Sequence, residues 1–315
     1  VKAVVLFNLG GPTSPESVEP FLYNLFSDPD IIRLPRMLRF LQKPLASRIS
    51  RKRGPEARKN YALIGGRSPL LENTKKQADA LAQELGSGYR VFIAMRYWEP
   101  LASDTVAALK EANPDEVVFL PLYPQFSIST TASSRNDFVN AMEAAEYKPP
   151  VKQIEQWYDK PGFADLVAQS LREVMQHVEP EQAHILFSAH GVPVSYVTKY
   201  GDPYQKQIEE TVAAVMAALG AKIAHSLCYQ SRVGPVKWLD PDIDPEIDRL
   251  AQSGKKTLIV YPISFVSEHI ETLYELDILY GEKARSLGLD YRRVHTLGDR
   301  PEFIRFLAGL VRGAT

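Results

Sequence analysis

Short apolar runs bounded by turn residues alternate along this chain with amphipathic stretches of helical period, the pattern of parallel sheets joined by crossover helices. The runs predict strands at residues 3–8, 90–95, 116–122, 152–157, 184–189, 222–228, 256–263 and 290–295. They divide evenly into two sets, which predicts an α/β protein with a domain at 1–151 and another at 152–296. The last helical stretch, 297–315, is expected to pack back on the first domain.

An internal repeat supports the division. Val5–Pro12 (VLFNLGGP) resembles Ile185–Pro193 (ILFSAHGVP), and Val118–Ser127 (VFLPLYPQFS) resembles Leu258–Ser267 (LIVYPISFVS) with Tyr123 over Tyr261. The matches are short, and convergence on common strand-ending chemistry remains the other explanation. A true repeat places equivalent loops of two similar domains around one cleft. It also puts extra chain in the first half.

Two strand ends carry candidate chemistry. The run Lys256–Val266 leads into Ser267–Asp277 (SEHIETLYELD), where Ser267 is a natural N-cap. On an α-helix Glu268, Glu271 and Glu275 fall within about 60° of one another, opposite Ile270, Leu273 and Tyr274. A stripe of carboxylates then stands at the carboxyl end of a strand, where open α/β sheets bind ligands. Acids near a helix start are also favoured by the macrodipole alone. The second strand ends in His190-Gly191, which sets the imidazole on a tight turn. Strand ends of a parallel sheet converge, so His190 and the carboxylates are expected to face each other across a cleft. A near-neutral base opposite acids suits proton removal or metal handling, and a satisfied structural histidine is the alternative.

Composition narrows the partners. The chain has 315 residues, 45% of them hydrophobic and 24% charged, and a net charge of -1 argues against nucleic acid. One cysteine, Cys228, excludes a disulfide framework and a protein-held iron–sulfur cluster within one chain, and fits the reducing cytoplasm. No apolar run reaches the ~18 residues of a membrane span, and Val1-Lys2 goes straight into a strand, so neither a span nor a signal peptide is expected. The glycines at Gly10-Gly11 and Gly65-Gly66 fit neither a dinucleotide nor an NTP fingerprint. Charge is unevenly placed, since Arg33 to Lys59 holds many Lys and Arg residues and a single acid, Glu56, interleaved with Leu34, Leu38, Phe40 and Leu41. Such an element lies on an anionic membrane, peripherally at the inner face of the cell membrane, or is a solvated face packed on its own domain.

Together, several segments resemble the ferrochelatase family: Leu6–Pro12, Phe21–Asp30, Ile64–Pro69, Met95–Tyr97, Leu122–Ser127, Phe187–Pro193, Tyr229–Pro235 and Phe265–Asp277. They run in family order over nearly the whole chain. The resemblance implies a chelatase-like fold of two Rossmann-like domains, each a four-stranded parallel sheet flanked by helices, with a lip around residues 13–60. It implies insertion of Fe2+ into protoporphyrin to form protohaem, with porphyrin and ferrous iron as substrates. His190 and Glu271 become the catalytic pair on opposite sides of the porphyrin plane, and Glu275 joins them on the metal path. Leu9, Tyr97, Tyr123, Ile128 and Phe265 become porphyrin walls. Arg96 and Ser68, with Arg67 a second choice, become partners of its carboxylates.

The chemistry asks for such groups independently. Metallation exchanges two pyrrole protons for one divalent cation, so a base must accept protons while carboxylate and imidazole hold iron transiently, without the grip of thiolates. Departures from the family also carry expectations. Ile128 stands where animal-type members have a cluster cysteine and the chain stops at Thr315, which predicts no iron–sulfur cluster, no other cofactor and a monomer. Leu279 replaces an outer acid. Leu9 stands where some Gram-positive members have tyrosine, which favours protoporphyrin over coproporphyrin. The alternatives are a haem- or porphyrin-binding carrier, a related cobalt or nickel chelatase, and a periplasmic metal-binding protein.

Overall fold

The computed structural model describes residues 1–315, which fall into two compact units. The first comprises Val1–Tyr123, Ser127–Glu155 and Ile304–Thr315; the second comprises Pro124–Phe126 and Gln156–Phe303.

In the first unit the elements run β1 (Lys2–Asn8), α1 (Val18–Ser27), α2 (Gln42–Ala62), α3 (Leu70–Leu85), β2 (Tyr89–Met95), α4 (Ala102–Ala112), β3 (Val117–Pro121), α5 (Ser133–Ala144) and β4 (Val151–Gln153). The strands form one parallel sheet in the order β2-β1-β3-β4. Helices on both faces leave β1 and β3 buried almost throughout, which is why both read as unbroken apolar runs. Phe7, Phe119 and Phe138 meet with ring centroids 5.1 to 5.3 Å apart, and burying each ring contributes roughly 1.5–3 kcal/mol.

The second unit continues with α6 (Phe163–Met175), β5 (Ala183–His190), α7 (Val194–Tyr200), α8 (Tyr204–Leu219), β6 (Ala224–Gln230), α9 (Ile243–Ala251), β7 (Thr257–Pro262), a π-helix (Glu271–Tyr280), α10 (Gly281–Ser286) and β8 (Asp290–Arg293). Its parallel sheet has the order β6-β5-β7-β8, the same winding as the first. Leu186, Cys228, Ile247, Val260 and Leu276 lie in one buried cluster on this sheet. The closing helix α11 (Pro301–Ala314) is counted with the first unit from Ile304 onward, and there Arg312 donates to the carbonyl of Glu84 at 2.6 Å.

The repeat is therefore architectural, but its register differs from the sequence match. Phe7 pairs with Pro121 and Ser188 with Pro262, and the following N–H, of Leu122 or Ile263, returns to the Phe7 or Ser188 carbonyl at 2.9 Å in each. Pro121 thus corresponds to Pro262 and Tyr123 to Ser264, not Tyr261. Strands buried on both faces lack the alternation that would fix register in sequence. The fourth strand is also shorter than expected, and β6 runs on to Gln230 where 222–228 was predicted.

No helix is long and apolar enough to cross a membrane. The basic stretch forms a 3-10 turn (Arg36–Leu41) followed by α2. Small or polar side chains, Gln42, Ala46, Ser50 and Gly54, make the buried seam of α2 at a spacing of four, and Arg58 pairs with Glu19 of α1 at 3.2 Å. That leaves Lys43, Arg48, Arg51, Lys52 and Lys59 exposed on α2, and Met37 and Phe40 are 80% and 74% exposed on the turn.

Candidate active site

Strand β5 delivers His190 to the carboxyl edge of its sheet. Its N–H donates to Ser264 Oγ at 3.0 Å, beyond the end of β7, and its carbonyl accepts from the Tyr204 hydroxyl at 3.1 Å. Gly191 then passes close to β6, where an added Cβ would stand 2.8 Å from the Gln230 carbonyl. With its backbone fixed, the His190 ring places Nδ1 2.8 Å from Glu271 Oε2 at the start of the π-helix. The pair expected on opposite sides of a cleft is in direct contact. His190 Nε2 has no protein partner.

β6 brings the next layer. Ser231 Oγ lies 3.2 Å from Glu271 Oε2 and donates to Glu275 Oε2 at 2.7 Å. Gln230 Nε2 donates to the same Glu275 oxygen at 3.0 Å and to the Glu271 carbonyl at 2.8 Å, while its own Oε1 accepts from Ser188 at 2.6 Å. Ser231 holds φ at 62°, a left-handed conformation that costs a non-glycine residue energy and turns its hydroxyl toward the carboxylates. His269 is buried, gives Nδ1–H to the Ser267 carbonyl at 3.0 Å and packs edge-on to Phe265 at 4.6 Å. Sequence reasoning assigned no role to Gln230, Ser231 or His269. The Tyr229–Pro235 segment marked the place, but its strained backbone has no sequence signature.

This arrangement splits the carboxylates. Burial works against ionised Glu271, yet the His190 charge and hydrogen bond override it and hold this carboxyl below its usual range. Burial and the Glu271 charge push Glu275 the other way, up to about 7. Burial also opposes charge on His190, and the Glu271 carboxylate more than offsets it, so the imidazole is more basic than usual. Burial outweighs the pull of Glu271 on His269 and makes that imidazole less basic than usual. No three of the His, Cys, Asp and Glu side chains are arranged as a metal cage, and His190, Glu271 and Glu275 are linked by hydrogen bonds instead.

The remaining candidates fall differently. Glu268 does not join the stripe; it accepts from Arg293 Nη1 at 2.9 Å and from the Thr296 N–H at 2.9 Å. Ser267 is not an N-cap, because the helix begins later and with π geometry. In the first unit, Arg96 is committed to Ser133 at 2.7 Å, Asp28 at 3.0 Å and Asp137 at 3.4 Å. Tyr97, expected at a porphyrin wall, is wholly buried with its hydroxyl on Asp28 at 2.6 Å. Ser68 is buried and its Oγ accepts from the Leu70 N–H at the start of α3. Arg67 pairs with Glu72 at the surface. Leu9, Tyr123 and Ile128 are half-buried in the first unit, and Phe265 is half-buried beside the His190 group.

A family model described as Ferrochelatase matches residues 1–315. The chain belongs to the ferrochelatase family. It is 51% identical to the ferrochelatase of Thermosynechococcus vestitus over 99% of this chain and 81% of that protein. It is 49% identical to the ferrochelatase of Cyanothece sp. over 98% of this chain and 81% of that one. Among solved structures it is similar to SirB from Bacillus subtilis, with a TM-score of 0.59 at 10% identity over 99% of this chain and 95% of that one. It is also similar to CbiX, a siroheme-biosynthesis enzyme of denitrifying bacteria, with a TM-score of 0.52 at 14% identity over 100% and 99%. At such identities these two share the fold alone. As a ferrochelatase the protein is a lyase that inserts Fe2+ into a porphyrin in haem biosynthesis, and neither the carrier nor the cobalt or nickel chelatase alternative is favoured.

Proposed function

We propose that this ferrochelatase acts on protoporphyrin, with His190 as proton acceptor and Glu271 as its partner. The contact between His190 Nδ1 and Glu271 Oε2 at 2.8 Å carries this reading. It commits Nδ1–H to the carboxylate, leaves Nε2 to take a pyrrole proton, and stabilises the imidazolium that results. Hydrogen bonds continue through Ser231 to Glu275, whose carboxyl, at about 7, takes up and releases protons near neutrality. His190, Glu271 and Glu275 are also the proposed transient ligands of Fe2+ as substrate. An imidazole–carboxylate set lets the metal go on to the ring. Proton acceptance and iron binding at Nε2 exclude each other in one protonation state, so they are successive steps.

Anaerobic Fe2+ incorporation into protoporphyrin, followed by absorbance, tests the assignment with His190→Ala and Glu271→Gln. Both variants should bind the ring and lose turnover; wild-type rates in either would remove it from the chemistry. Apolar Leu9 supports protoporphyrin, and a higher kcat/KM for coproporphyrin would reverse that choice. Leu9, Tyr123, Ile128 and Phe265 remain proposed porphyrin contacts. Arg96 and Ser68 are proposed for the ring carboxylates, although each already has protein partners.

We further propose a cytoplasmic monomer without a cluster. Cys228 is wholly buried in β6, and one thiol cannot hold an iron–sulfur cluster. The exposed Met37 and Phe40 beside the basic face of α2 support peripheral contact with an anionic membrane. Co-sedimentation with anionic vesicles at low salt should fall on Phe40→Ser, and its absence in the wild type would dismiss the contact.

A further inference from the structure

The π-helix Glu271–Tyr280 carries both carboxylates of the site. Such a helix is rare and usually a single turn, so a longer one needs support from outside. Strand β8 supplies it. Tyr291 and Arg293 are two residues apart and leave the strand on the same side. The Tyr291 hydroxyl donates to the Leu276 carbonyl at 2.7 Å, inside the π-helix. The Arg293 side chain, 4% exposed, grips both oxygens of Asp277, with Nη2 to Oδ2 at 2.8 Å and Nε to Oδ1. Through Nη1 the same guanidinium donates to Glu268 Oε1 at 2.9 Å, which also accepts the Thr296 N–H at 2.9 Å and hydroxyl at 3.2 Å.

One side chain therefore ties a residue just before Glu271 to a residue just after Glu275. We propose that Arg293 is a positioning residue for metal insertion, its fork between Glu268 and Asp277 bracketing the segment that carries Glu271 and Glu275 and fixing where both stand against His190. A buried ion pair is a poor source of stability, because desolvation offsets much of the attraction. A bidentate guanidinium is a good source of fixed geometry. Arg293 makes no hydrogen bond to His190, Glu271, Glu275 or Ser231, so its effect passes through the segment it holds.

The test compares wild type with Arg293→Met, Arg293→Lys and Asp277→Asn in steady-state Fe2+ insertion, with rates expressed per folded molecule from thermal melts. Arg293→Met should lower kcat roughly tenfold or more, the usual cost of losing an outer-layer partner, and leave the porphyrin KM unchanged. Arg293→Lys keeps the charge without the fork and should recover only part of the rate. An unchanged kcat overturns the proposal, as does a loss confined to KM or one that follows the unfolded fraction. Should Arg293→Met fail to fold, Asp277→Asn decides the matter, because it removes one arm and keeps the pair with Glu268. A lowered kcat at constant KM supports positioning, and wild-type kcat ends it.

Discussion

Glu271 and Glu275 meet at one hydroxyl, with Ser231 Oγ 3.2 Å from the first and 2.7 Å from the second. Carboxylates this close do not both ionise readily, and the protein settles the conflict unequally by setting His190 against Glu271 alone. One becomes a fixed negative charge and the other a carboxyl that titrates near neutrality. Geometry thus assigns different work to two residues that look alike in sequence.

Ser231→Gly tests the bridge, because glycine adopts the φ of 62° without strain and the lost hydroxymethyl group takes the bridging hydroxyl with it. The expected result is a kcat lowered roughly tenfold with porphyrin affinity retained. Wild-type kcat in this variant would mean that the bridge is structural.

NMR titration of His190 should give an apparent pKa above the ordinary ~6.5 in the wild type and a lower one in Glu271→Gln, where only the weaker pull of Glu275 is left against burial. The sign for stability follows. The pair stabilises the fold fully below the unfolded pKa of ~6.5, and that contribution fades as pH rises through the higher folded value. An unmoved titration in Glu271→Gln would refute the coupling.

Glu275 is also raised, so its burial is tolerated while the carboxyl is protonated and becomes unfavourable as pH rises through about 7. Glu275→Gln should therefore melt above the wild type in alkaline buffer, by on the order of 2 kcal/mol, and lose that advantage toward pH 5. Equal melting differences at both ends of the range would contradict the raised carboxyl.

Gly191→Ala forces a methyl to 2.8 Å from the Gln230 carbonyl, a backbone atom that cannot step aside. Separation of β5 from β6 should cost about 1–3 kcal/mol in thermal unfolding and displace His190 from Glu271, lowering kcat as well. Wild-type melting and turnover would show that the strand ends give way freely.

The fold was legible because its strands are apolar runs between turn signals, and the repeat of Val5–Pro12 at Ile185–Pro193 announced two sheets of like winding. Residue types at strand ends likewise exposed His190 and Glu271, since an imidazole after a buried run is a local feature. Register was hidden, because the inner strands β3 and β7 are buried on both faces and carry no alternation. The fate of Glu268 was hidden too. Its spacing from Glu271 suits an α-helical stripe, but the chain enters a π-helix and Arg293, from another strand, captures Glu268. Arg96 and Tyr97 went the same way, drawn onto Asp28 by contacts far apart in the chain. Sequence by itself determined which groups reach the edge of the sheet, because that depends on local pattern. Only the tertiary structure decided which of them are charged, paired or free, because ionisation and hydrogen bonding depend on neighbours that folding brings from other strands.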